Sequence, residues 1–279
     1  MFFEHRAFWL PKDVGRTEEF QDAWCVDEER GLAAIADGVS SSLFSASWAK
    51  ILTKAVVDDP PYVDDPPSLP DWFQEHRDAW IEPIDENGLA WHQKPKFKLG
   101  AHTTLLWVEM YVADEKKTGV RDASEIYGYA VGDSCLFHVR EDKVIRSFPL
   151  TDSQSFLNDP HVIGSIDKQQ DHLLQFETWE SYCQPGDLLV LCTDAIAAWA
   201  VARMENGTPP KWRSYWNRDP DEWRREILDL RERQEMRADD ATLLLLRIVD
   251  PKAKPSSAAG DSDSADVEQS KDVGAEDHV

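Results

Sequence analysis

Five aspartates in this 279-residue sequence, Asp22, Asp37, Asp133, Asp194 and Asp239, each stand at one end of an apolar run. A carboxylate left unpaired beside a hydrophobic core is costly to desolvate, so such a set calls for a compensating cation. Lysine and arginine are scarce beside these motifs in the sequence. Several oxygen ligands without histidine or cysteine suit magnesium or manganese better than zinc. The run at residues 32–36 is too short for a buried helix and reads as a buried strand that delivers Asp37 into a cleft. Gly38 lets the backbone turn with no Cβ in the way, so its carbonyl can face the same cleft. A single Asp-Gly or Gly-Asp is only a turn former. The inference comes from five of them in order.

The elements that must position these residues follow from periodicity and punctuation. Residues 23–26 and 32–36, joined by Asp27-Glu28-Glu29-Arg30-Gly31, form an antiparallel hairpin that sets Asp22 near Asp37. From Ser45, the residues Trp48, Ile51, Leu52, Ala55 and Val56 mark an amphipathic helix that stops at Asp58-Asp59-Pro60-Pro61. A second helix follows the Pro-rich link, with Ser68 and Asp71 as a capping box and Trp72, Phe73, His76, Ala79 and Trp80 as one stripe. His76 on that stripe reads as a packed histidine. Residues 88–97 read as a loop without a pattern. Residues 103–112 form a strand, and 126–131, 135–139 and 143–148 a meander with Gly132-Asp133-Ser134 at its first bend. Residues 149–168 read as a loop. The strand 187–192 ends in Thr193-Asp194 and passes into a helix over 196–204. Asp219-Pro220-Asp221-Glu222 starts another helix, with Trp223, Ile227 and Leu230 on one face. Arg237-Ala238-Asp239-Asp240 leads into a last strand at 242–249. From residue 251 no hydrophobe larger than valine remains, so burial cannot offset ordering entropy. We expect one domain over 1–250 and a disordered acidic tail over 251–279.

A formal net charge of -23 disfavours both a protein that works by neutralising nucleic-acid phosphates and an anionic membrane surface. The twelve tryptophans are chiefly core packing. Cys25, Cys135, Cys183 and Cys192 are widely spaced, which reads as reduced thiols in the cytosol. Charge interrupts the apolar start Met-Phe-Phe at once, so no signal-peptide core is expected. The longest apolar run, 195–202, falls well short of the ~18 residues of a spanning helix. The expected location is cytoplasmic.

Taken in order, Gln21-Asp22-Ala23, Ala36-Asp37-Gly38-Val39, Val131-Gly132-Asp133-Ser134, Cys192-Thr193-Asp194-Ala195 and Asp239-Asp240-Ala241-Thr242 resemble the signature motifs of the metal-dependent protein phosphatases of type 2C. The resemblance runs from about Gln21 to Val249, and the Gln-Asp-Ala version with an upstream histidine such as His5 is similar to one bacterial branch. It implies an α+β fold, a central β-sandwich of two antiparallel sheets flanked by helices on both sides in four αββα layers. It also implies a dinuclear manganese or magnesium centre. By motif match Asp37 bridges the two ions, the Gly38 carbonyl ligates one, and Asp194 and Asp239 hold the other. Asp22 is an outer or near ligand, and Asp133 with Asp194 matches a weaker third position. The implied activity is hydrolysis of phosphoserine or phosphothreonine by a hydroxide generated between paired ions, with no protein nucleophile. The partners implied are a phosphorylated protein substrate and a cognate Ser/Thr kinase.

The departures define the alternatives. Gln21 stands where many members have Glu, a neutral ligand in place of an anionic one. The family's phosphate-binding Arg falls at Thr17, with Arg16 one position off and Arg6 further away. Val39 replaces a His that some members use as proton donor, Ala195 a Gly, Cys135 an Arg, and Asp240 the commoner Asn. His102 beside Thr103-Thr104 reads as structural. A pseudophosphatase that binds phosphoproteins without turnover is the rival from another class, and a hydrolase of small phosphate esters is a third reading.

Overall fold

The computed structural model describes residues 2–63, 68–115, 119, 123–166 and 176–250. Its strands are β1 (Phe3–Leu10), β2 (Ala23–Asp27), β3 (Leu32–Ala36), β4 (His102–Thr103), β5 (Leu105–Val112), β6 (Ser124–Val131), β7 (Cys135–Arg140), β8 (Lys143–Phe148), β9 (Ile163–Gly164), β10 (Glu177–Cys183), β11 (Leu188–Cys192) and β12 (Ala241–Ile248). The helices are α1 (Ser45–Asp58), α2 (Leu69–Ile81), α3 (Gln93–Leu99), α4 (Asp194–Glu205), α5 (Trp212–Tyr215) and α6 (Pro220–Glu232). One antiparallel sheet runs β1-β12-β11-β7-β8 and the other β10-β6-β5-β3-β2, with β4 and β9 as a separate short pair. The expected αββα sandwich is present.

Period-two alternation explains the four layers, because the central strands bury both faces. In β3, Ala33 and Ile35 meet Leu189, Leu191, Leu244 and Leu246 of the opposite sheet, while Leu32, Ala34 and Ala36 pack on Trp48, Leu52 and Val56 of α1. In β12, Leu244 and Leu246 face inward, while Leu243 and Leu245 join Trp199, Trp223, Ile227 and Leu230 of the other helical layer. The tryptophans Trp48, Trp80, Trp107, Trp212 and Trp223 are fully buried, in keeping with their reading as core. Asp219 caps α6 by accepting from the amides of Asp221 and Glu222.

Several expectations need correction. The meander is split: β6 belongs to one sheet and β7 and β8 to the other, so Gly132-Asp133-Ser134 is a crossover between sheets rather than a hairpin bend. The strand expected at 103–112 breaks at Thr104. Ser68 precedes α2 in helical backbone and its side chain makes no cap bond, so the capping box does not form. The buried stripe of α2 is Leu69, Phe73, Arg77 and Trp80, while Ala79 faces solvent. Residues 88–97, expected as a loop, contain the start of α3, and the loop expected over 149–168 carries a 3-10 turn at Ser153–Leu157 and β9. β1 and β10 were not anticipated. The tail over 251–279, part of the Pro-rich link and residues 116–118 of the turn that the sequence predicts over 114–119 lie outside the described residues.

Candidate metal centre

The β2–β3 hairpin and the β6–β7 crossover bring the aspartates to one edge of the sandwich. Ala23 pairs with Ala36, so Asp22 and Asp37 flank the same rung. The Gly38 amide donates to the Gln21 carbonyl at 3.3 Å. A Cβ on Gly38 would stand 2.8 Å from that oxygen and 3.0 Å from the Ser45 carbonyl carbon, so the close approach of the first two motifs requires glycine. The Asp37 amide donates to Thr104 Oγ1 at 3.0 Å, and its carbonyl accepts from the Thr104 amide at 2.9 Å and the Thr103 hydroxyl at 2.8 Å. The unexpected break between β4 and β5 therefore holds the Asp37 backbone. Thr104 Oγ1 also bonds Ser134 Oγ at 3.0 Å, which ties the Asp133 crossover to Asp37.

The opposite sheet contributes through threonines. Asp22 Oδ2 accepts from Thr193 Oγ1 at 3.0 Å and Thr242 Oγ1 at 2.8 Å, which pins it between the ends of β11 and β12. Asp194 opens α4, where the helix dipole favours negative charge. Asp240 gives both oxygens to backbone amides, Lys12 at 2.7 Å and Gln21 at 2.8 Å. It therefore fixes the β1 exit loop and the first motif. Asp239 Oδ1 accepts from the Asp240 amide at 3.0 Å.

Burial, and then the charges of Asp22, Asp194, Asp133 and Asp239, hold the Asp37 carboxyl well above the usual carboxylate range. Burial and Asp240 do the same for Asp22. Asp133 is pushed up to about 6 by burial and Asp194. Mutual repulsion of this kind reflects the nearness of these carboxylates to one another at this edge. Asp22 Oδ1, Asp194 Oδ1 and Gln21 Oε1 are buried without a hydrogen-bond partner. A buried, unpartnered carboxylate oxygen is held either as the neutral acid or, when ionised, beside a cation, and the donor set is all oxygen. The residues present fit hard divalent ions.

The scarcity of basic residues does not survive folding. Arg237 makes an ion pair with Asp194, and Arg231 donates to the Asp239 carbonyl. Lys12 Nζ reaches Ser40 Oγ at 2.7 Å, just beyond the Asp37-Gly38 turn. Sequence reasoning missed all three, although Arg237 stands two residues before Asp239. Arg16 pairs with Asp13 and Glu19 on its own loop, and Arg6 donates to the Trp216 carbonyl, so neither faces the carboxylates. His5 bonds Glu28 at the other end of the β2–β3 hairpin, away from the centre. His76 stacks edge-on against Trp72, as its packed reading requires. His102 Nδ1 lies 3.2 Å from Ser42 Oγ.

A tighter group, His138, Cys183 and Asp187, lies at the far end of the sandwich with ligand atoms within 4.8 Å of one another. There Asp187 already accepts from Arg140 at 2.7 Å, His138 at 2.9 Å and the Gln184 amide at 3.0 Å. These bonds hold its carboxyl down at about 2 against the effect of burial. An arginine on the same oxygen leaves no place for an ion, and the group reads as a buried network joining the sheets.

The sequence profile described as Protein phosphatase 2C matches residues 15–228. The chain belongs to the protein phosphatase 2C family. It is accordingly a metal-dependent serine/threonine phosphoprotein phosphatase of the kind that uses manganese or magnesium. The match stops short of Asp239, whose place beside Asp194 comes from the fold. Curated proteins give no match. Among solved structures, PppA, a regulatory component of T6SS in Pseudomonas aeruginosa, is similar with a TM-score of 0.53 at 16% identity, over 89% of this chain and 98% of that one. The catalytic domain of the phosphatase PstP with two manganese ions gives 0.53 at 15%, over 89% and 99%. The phosphatase MsPP from Mycobacterium smegmatis gives 0.51 at 17%, over 88% and 98%. At these identities the likeness shows the fold. Among the described residues no helix is long and apolar enough to cross a membrane.

Proposed function

We propose that this phosphatase holds two manganese or magnesium ions with the Asp37, Asp194 and Asp239 carboxylates and the Gly38 carbonyl, with Asp22 lending its unpaired Oδ1 at the edge of the same volume. The observation that carries the assignment is the set of buried, unpartnered oxygens on Asp22, Asp194 and Gln21 among mutually repelling carboxylates from both sheets. When bound, the ions supply an activated water and positive charge for the phosphoryl oxygens. The protein's part is to fix the ligands. The Thr104–Ser134 hydroxyl pair holds Asp37, Thr193 and Thr242 hold Asp22, and Asp240 clamps the first motif. Lys12 is the ammonium at the mouth, where it meets the incoming phosphate in place of the family's arginine at Thr17. No side chain here serves as a nucleophile: Cys135 and Cys192 are buried thiols whose pKa burial raises.

The four free cysteines favour a reducing, cytosolic setting. A phosphorylated protein is the substrate, and the kinase that makes it is the expected counterpart. Residues 1–250 are read as the phosphatase domain and 251–279 as an appended tail. The test is phosphate release from a phosphothreonine peptide by metal-stripped protein. Activity should return with manganese and fall at least ~100-fold in Asp37→Asn or Asp194→Asn. Equal turnover in chelator would sink the assignment, and bound metal with no cleavage would make the chain a binding module.

A further inference from the structure

The corner formed by Asp133, Asp194 and Asp239 contains a group that the motifs do not account for. Arg237 Nη2 donates to Asp194 Oδ2, while Asp194 Oδ1 is buried and unpartnered. The two oxygens of one carboxylate are thus divided, one to a guanidinium and one buried without a partner. The arginine is no loose surface side chain. Its neighbour Met236 is buried, and the amides of Glu235 and Met236 both donate to the Leu230 carbonyl at the end of α6, at 2.9 and 3.2 Å. The Asp194 end of the pair is buried and the arginine half-exposed, so solvent screens the interaction from one side only. After Asp194, the anions that act most strongly on Arg237 are Asp239 and Asp133.

We propose that Arg237 supplies from the chain itself the positive charge that a third divalent ion would bring to Asp133 and Asp194, so that this phosphatase binds two ions and excludes a third. A guanidinium keeps its charge at every working pH and fits a carboxylate in a fixed plane. A divalent ion entering on Asp194 Oδ2 would have to displace it or stand within a few ångströms of a like charge, where repulsion in a half-buried site is large. Asp133 then acts on Arg237 through its charge and not as a metal ligand. The proposal depends on the two-ion assignment above, since it concerns only the corner beside that pair.

The test counts ions on the full chain. Metal-stripped protein is titrated with manganese by calorimetry, and bound ions are counted by native mass spectrometry, for the wild type, Arg237→Gln, Arg237→Lys and Asp133→Asn. The wild type and Arg237→Lys should each take two ions. Arg237→Gln should gain a third, weaker binding event that disappears when Asp133→Asn is added. Asp133→Asn alone should still take two. Three ions on the wild type, two on folded Arg237→Gln, or loss of an ion in Asp133→Asn would each overturn the proposal. Should Arg237→Gln fail to fold, the wild-type count and the Asp133→Asn count decide it. Two ions that vanish in Asp37→Asn leave the main assignment standing whatever Arg237 does, whereas no ions on the wild type would remove both.

Discussion

Gln21 is the residue where a neutral amide meets the proposed ions. Its Nε2 donates to Ser45 Oγ at 2.9 Å, which turns Oε1 away from that partner and leaves it buried and unpaired. Hard cations respond strongly to ligand charge, so Gln21→Glu should tighten one of the two manganese sites and lower the metal concentration needed for half-maximal activity. Calorimetry on metal-free protein beside an activity curve against manganese reads both. If neither curve moves, Gln21 does not face the ions. Lys12 gives a second prediction at this scale. Its backbone amide is held by Asp240, so Lys12→Ala removes the ammonium without releasing the loop. A charge-assisted contact to phosphate predicts a KM for a phosphothreonine peptide roughly 10-fold higher, with kcat little changed. An unchanged KM would take Lys12 out of substrate binding.

At the scale of elements, the crossover at Gly132 is the part most exposed to a single change. Gly132 has φ of +106°, and a Cβ there would lie 2.5 Å from Thr104 Cγ2, the residue whose hydroxyl receives the Asp37 amide. Gly132→Ala should therefore cost on the order of 2 to 4 kcal/mol and reduce activity beyond that loss, as urea midpoints and phosphate release will show. The same position shows where the sequence misled. Gly132-Asp133-Ser134 between two apolar runs has the composition of a hairpin turn, and only the packing of Leu136 against Ile35 and Leu106 in the intersheet core reveals a change of sheet. β1 was illegible for a related reason: it is an edge strand whose middle residues are half-exposed and charged, so its alternation is blurred. β10 carries Glu177, Glu180 and Tyr182 outward on another edge. By contrast β3, β11 and the cap of α6 were legible, because continuous burial or a capping aspartate leaves a local mark. The carboxylates were readable for the same reason, each standing at a strand end. Arg237 and Lys12 were not, since their relation to the centre exists only across the fold.

For the whole molecule, the centre makes stability depend on pH and metal together. Asp133 titrates at about 6 in the fold against 3.8 as its ordinary value, through burial and then Asp194. Asp22 and Asp37 are also held well above the usual carboxylate range, through burial and their neighbours. For a carboxyl with a raised folded pKa, the folded state holds more protons than the unfolded one between the two values. Its contribution is fully present below the unfolded pKa and is lost as pH rises through the folded one. The metal-free protein should therefore lose stability between about pH 4 and pH 6, by roughly 3 kcal/mol from Asp133 alone. Asp22 and Asp37, raised in the same direction, should add loss of the same sign. Ions that bind the ionised carboxylates reverse the sign of the problem, because they favour the charged form that the bare fold resists. Thermal unfolding from pH 4 to 8, in chelator and in manganese, should give a Tm that falls with pH in chelator and a metal-induced rise in Tm that grows with pH. A chelator curve that is flat or rises over this range would show that the carboxylates are already compensated without ions, which would leave the buried oxygens of Asp22 and Asp194 unexplained by a metal centre.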